Sequence, residues 1–104
     1  MAGELVTVFR NRVREDAWEE YEPLAARMAE LAEGMPGFVE RKTFTADDGE
    51  RVTLVTFVTR EQQRAWRDHP EHRAAQRVGV DRIYSDYRIQ VCVLEDERRF
   101  TRPS

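Results

Sequence analysis

The chain has 104 residues, with 17 Lys and Arg against 20 Asp and Glu, a formal net charge of -3 and a single cysteine. One domain of this length buries a usable but not generous core, which dimerisation would help. The acidic balance excludes a basic footprint for nucleic acid or anionic lipid, and one cysteine excludes a disulfide framework or a thiolate cluster for metal.

The opening MAGELVTVFR has neither a cationic start nor an apolar run of signal-peptide length, and no segment approaches a membrane span. A soluble cytoplasmic protein is expected. Leu5 to Arg10 alternates as a strand, with Leu5, Thr7 and Phe9 on one face and Val6 and Val8 on the other. One residue further, Asn11 places an amide at the end of the first row. From Asp16 to Glu33 the apolar letters trace a helical stripe through Trp18, Tyr21, Leu24, Met28 and Leu31. Pro23 inside it predicts a kink or an irregular first turn. Gly34 is expected to take a left-handed cap, with Pro36 forbidding continuation.

Phe38 to Thr45 and Arg51 to Val58 read as two antiparallel strands joined by ADDG, whose Asp-Gly step signals a hairpin. Thr59 and Gln62 form a capping box that opens a short helix carrying Trp66. His69 precedes a proline and is biased to extended geometry, so Pro70 starts a new helix that ends near Gly79. The segment WRDHPEHRAAQ, Trp66 to Gln76, therefore holds a helix break, both histidines and one of the two tryptophans. His72 and Gln76, four apart, share a helix face. Ile83 to Leu94 is the last strand, with Tyr87 among Ile83, Ser85, Ile89, Val91 and Val93 on one face and Tyr84, Arg88 and Cys92 on the other. Cys92 is read as a small buried strand residue. The tail from Glu95 is charged and expected to be loosely held, with Phe100 read as its anchor on a neighbour.

The order strand, helix, strand, strand, helix, strand predicts a single α+β domain over residues 1–104, core about 4–94: a ferredoxin-like βαββαβ antiparallel sheet with helices on one face. The other face still carries Val6 and Val8, which predicts a homodimer packed sheet on sheet.

With this order and the words MPGF, WRDHPEHRAAQ and YRIQV, the chain resembles the antibiotic biosynthesis monooxygenase superfamily of dimeric α/β barrels, from about Leu5 to Leu94. Relatives in that superfamily include cofactor-free oxygenases acting on anthrone or quinol rings and heme-degrading monooxygenases. The resemblance implies Trp66 as a pocket wall, Asn11 at a functional position near the end of the first strand, and Arg88 with Tyr84 and Tyr87 as polar groups on the last strand. Heme-degrading relatives ligate iron with a histidine ten residues after the tryptophan; here that position is Gln76, a poor axial ligand beside imidazole.

His72 reads equally as a general base and as a hydrogen-bonding histidine in a first helical turn; His69 reads as a cap or surface residue. The expected site is catalytic His72, Trp66, Asn11 and Arg88, with Tyr84, Tyr87, Gln76 and Phe9 contacting substrate and with no metal or cofactor. The expected reaction is oxidation of an electron-rich aromatic by dioxygen to a quinone. The alternatives are a heme-binding or heme-degrading protein on the same fold, and a non-enzymatic dimer that binds a small aromatic.

Overall fold

A computed structural model describes residues 3–103. The alternating runs rich in Val, Thr and Phe form four strands, β1 (Leu5–Val13), β2 (Phe38–Thr45), β3 (Arg51–Phe57) and β4 (Tyr84–Val93), in the antiparallel order β2-β3-β1-β4. Between β1 and β2 lie a 3₁₀ turn (Glu15–Ala17) and helix α1 (Trp18–Glu33). Between β3 and β4 lie α2 (Arg60–Arg67), α3 (Pro70–Val78) and a π-helical turn (Gly79–Ile83). Both crossovers lay their helices on one face of the sheet, giving a ferredoxin-like α+β fold.

Register fixes which side chains face the helices. Thr7, Phe9 and Asn11 of β1 stand beside Val55, Thr53 and Arg51 of β3 and beside Val91, Ile89 and Tyr87 of β4. The opposite, helix-free face carries Val6, Val8 and Arg10 with Thr56, Leu54 and Val52.

Several expectations are corrected locally. The helix predicted from Asp16 begins instead with the 3₁₀ turn, so the irregular turn precedes Pro23, which lies exposed inside α1. Gly34 is right-handed, at φ -85°, because its N–H still bonds to the carbonyls of Glu30 and Leu31. The left-handed residue is Gly37, at φ 81°. A Cβ there would lie 1.9 Å from Gln62 Oε1, so the glycine of MPGF is the space into which the α2 capping side chain fits. Cys92 is exposed, because it faces the helix-free side of an edge strand. Phe100 is 77% exposed.

The core is divided. Ala32, Val55, Phe57 and Trp66 form one buried cluster, and Ala17, Tyr21 and Ile83 form another at the far end of the sheet. A cavity lies between them. No helix among the described residues is long and apolar enough to cross a membrane.

Candidate functional site

The break between α2 and α3 shapes the site. Thr59 Oγ1 accepts from the Gln62 N–H at 3.2 Å, and Gln62 Oε1 accepts from the Thr59 N–H at 3.2 Å, which starts α2 at a fixed point. Gln63 and Trp66, three apart, then face inward and are both buried. His69 caps α3: its Nδ1 accepts the Glu71 N–H at 3.1 Å, and Pro70 fills the first helical position, where no N–H is required. The chain re-enters a helix at an angle that lays His72 on Trp66, with ring centroids 4.4 Å apart and planes inclined at 34°.

His72 Nδ1 lies 3.1 Å from the Arg67 carbonyl oxygen. A carbonyl only accepts, so Nδ1 carries the proton and Nε2 keeps its lone pair for a ligand. Burial lowers the His72 pKa below the ordinary 6.5, against the smaller opposing effect of the bond to Arg67. The imidazole is therefore neutral at pH 7 and able to accept a proton. The Nε1–H of Trp66 is buried without a hydrogen-bond partner.

Both rings line a cavity of ≈ 270 Å³ between the helices and the sheet, in the gap between the two core clusters. Of the residues predicted from sequence, Trp66, His72, Gln76, Phe9, Tyr84 and Tyr87 all meet there. Tyr84 arrives through a register irregularity between Arg12 and Val13, which pairs Asp86 with Arg12 but Tyr84 with Val13. Strict alternation assigns Tyr84 to the face of Arg88; the irregularity turns it to the cavity. Its ring packs edge-on against Phe9, with centroids 5.4 Å apart. Burial pushes the Tyr84 phenol well above the ordinary tyrosine value, so it remains a donor.

Two predicted residues are not on the wall. Arg88 lies on the helix-free face, exposed and opposite Arg10, because its neighbours Tyr87 and Ile89 take the cavity side and adjacent strand residues point oppositely. It forms no ion pair among the described residues. Asn11 is on the helix side and only 1% exposed, but it is beyond Phe9, beside Arg51 and Tyr87. Both its amide atoms lack partners, as does Arg51 Nε, while the Arg51 guanidinium stacks on Trp18 and Tyr21 at 5.5 and 5.3 Å.

The other polar and ionisable residues of the wall, Thr7, Tyr21, Arg41, Thr53, Gln63 and Arg67, are not among the predicted site residues. Thr7 and Gln63 form a buried polar pair 3.5 Å apart, and Tyr21 and Arg41 stand on the same wall. Thr7 is a polar letter in an apolar row, a signal present in the sequence; Gln63 stands one helical turn before Trp66. Arg41 is one of many arginines and carries no local mark. No group of His, Cys, Asp and Glu among the described residues could hold a metal ion.

A family model described as antibiotic biosynthesis monooxygenase matches residues 5–78. The chain belongs to the antibiotic biosynthesis monooxygenase family. YqjZ of Bacillus subtilis is 31% identical over 80 residues, covering 77% of this chain and 70% of the relative. Among solved structures, Rv0793 of Mycobacterium tuberculosis superposes with a TM-score of 0.80 at 18% identity, covering 92% of this chain and 99% of that one. SnoaB of Streptomyces nogalater, a cofactor-independent oxygenase, superposes with a TM-score of 0.74 at 21% identity, covering 99% of this chain and 100% of that one. At these identities the structural matches establish the fold. The family match contains Trp66, His72, Gln76, Phe9 and Asn11, whereas the β4 tyrosines lie beyond it.

Proposed function

We propose that this family member is a homodimeric, cofactor-independent monooxygenase that oxidises an electron-rich, anthrone- or quinol-like aromatic with dioxygen. The observation that carries the proposal is the Trp66–His72 pair: a neutral imidazole with a free Nε2 and an unpartnered indole N–H, in ring contact on the wall of one largely apolar cavity. In this scheme Nε2 of His72 removes a benzylic or phenolic proton. The ring anion passes one electron to dioxygen, and the resulting radical and superoxide combine into a carbon-bound peroxide. Collapse of that peroxide at a former CH₂ breaks the O–O bond, leaving a ring carbonyl and releasing water. The protein supplies the base, a water-poor cavity and donors from Trp66 Nε1 and the Tyr84 hydroxyl for the developing oxyanion.

The helix-free face supports the dimer. Val6, Val8, Val52 and Leu54 stand together there with 48%-exposed Phe44, and no helix or strand among the described residues packs over them. Heme is not proposed, since Gln76 stands where the resemblance calls for the ligating histidine, and an amide is a poor axial ligand beside imidazole.

The test is oxygen uptake with a panel of anthrones and hydroquinones. At least one substrate should consume oxygen above its buffer rate with the protein as purified, and His72→Gln should lower kcat about 10²- to 10⁴-fold. A panel with no enzymatic uptake, or a His72→Gln variant of undiminished rate, overturns the assignment. Hemin titration should give no stoichiometric Soret shift.

A further inference from the structure

The cavity wall contains two guanidinium groups and no carboxylate among the described residues. Arg67 is already matched, with Nε and a terminal nitrogen bonded to the two oxygens of Asp68 at 2.9 and 3.0 Å. Arg41 is different. It extends from edge strand β2 on the helix-facing side, beside Val55 in register, and is partly buried. No carboxylate of the described residues lies within ion-pair distance of it, although half the chain's sixteen arginines are paired in this way. The remaining unpaired arginines are not on the cavity wall. Arg51, on the helix-facing side of β3, rests on the Trp18 and Tyr21 rings.

An unpaired guanidinium at an apolar wall lacks the hydration it has in bulk water and gains most from a bidentate anion. Next to it, the same wall presents aromatic faces, one neutral base and no acid to repel an anion. We infer that Arg41 is the anion anchor of the cavity, and that the ligand is a planar aromatic bearing a carboxylate. The aromatic part packs on Trp66 and the tyrosines, and the carboxylate meets the Arg41 fork. Arg41 thereby determines specificity, and takes no part in proton transfer. The inference rests on the cavity being the substrate site, as proposed above, and adds the charge of that substrate.

The test compares two ligands that differ only in this group, 1,4-dihydroxynaphthalene and 1,4-dihydroxy-2-naphthoate, by anaerobic calorimetric titration of the wild type, Arg41→Gln, Arg41→Lys and Arg60→Gln. Arg60 is exposed and off the wall, so its variant controls for net charge. The wild type and Arg60→Gln should bind the carboxylate about tenfold or more tightly than the neutral ring, the gain of a charge-assisted hydrogen bond. Arg41→Gln should lose that preference with its neutral-ring affinity unchanged, which also shows that the variant is folded, and Arg41→Lys should keep part of it. A wild type that binds both ligands equally overturns the anchor and leaves the cavity assignment standing. An Arg41→Gln variant weakened equally for both makes Arg41 a packing residue and overturns the anchor as well. If neither ring binds the wild type, the cavity assignment falls and the anchor falls with it.

Discussion

Trp66→Phe separates a core-filling tryptophan from one that serves a ligand. Trp66 is 7% exposed, and its ring lies 5.5 Å from Phe57 and 4.4 Å from His72, so a purely structural account makes its truncation costly. The indole Nε1–H, however, is buried without a partner. Phenylalanine loses roughly 50 Å² of aromatic surface relative to tryptophan, which costs about 1 kcal/mol. It also removes a donor whose unpaired burial costs about 1–3 kcal/mol. The two effects oppose each other, and the unliganded variant should therefore unfold within about 1 kcal/mol of wild type in urea. Oxygen uptake should behave otherwise: losing one donor to a developing oxyanion lowers kcat about 10²- to 10³-fold. Urea melts and uptake rates on the same samples decide the matter. A variant destabilised by more than about 2 kcal/mol, with uptake falling only in proportion to the folded fraction, would show that Trp66 fills space and that its N–H has no ligand.

The remaining predictions concern titration, the capping turn and assembly. Because His72 titrates below 6.5, kcat/KM should hold as pH falls through 6.5 and decline only lower, and His72→Gln should abolish that acidic limb in a pH–rate profile. The same depression makes folding stability fully present above pH 6.5 and progressively lost as pH falls toward the folded-state pKa, since the unfolded chain binds the extra proton; urea midpoints of wild type and His72→Gln across that window read the difference. Gly37→Ala should cost about 2–3 kcal/mol, from a left-handed alanine and a disrupted capping box, and Gln62→Ala in the same chain should recover part of it, giving a non-additive double-mutant cycle in chemical denaturation. Val8→Asp, on the helix-free face, should shift sedimentation from twice the 12.3 kDa chain mass to a single chain without altering the cavity wall, and wild-type protein already sedimenting as one chain would remove the dimer.

Local signals in the sequence placed most of the elements and much of the site. Thr59 and Gln62 fix the start of α2, Pro70 fixes that of α3, and helical spacing then puts Trp66 on one piece and His72 with Gln76 on the next. Those are short-range effects, settled by capping geometry within a few residues. The residues misplaced or missed depend on partners distant in sequence. Tyr84 reaches the cavity because of where β4 slips against Val13, some seventy positions away, and alternation within β4 alone carries no trace of that slip.

Asn11 ends an apolar row and is buried as that pattern implies, but a functional role for it comes from the resemblance alone. Its distance from His72 follows from where the helices cross the sheet, which no β1 letter records. Arg88 was placed by resemblance; the register with Arg10 turns it away from the cavity. Arg41 is distinguished from the other arginines only by its place on the wall without a carboxylate in reach, which is a property of the packed chain. The sequence by itself thus determined the order of elements, the helix break at His69–Pro70 and the pairing of an aromatic with an imidazole, because backbone preference and periodicity act locally. Tertiary structure alone decided which polar groups share the cavity and which of its cations lacks a partner, because burial and charge neutralisation depend on the whole packed chain.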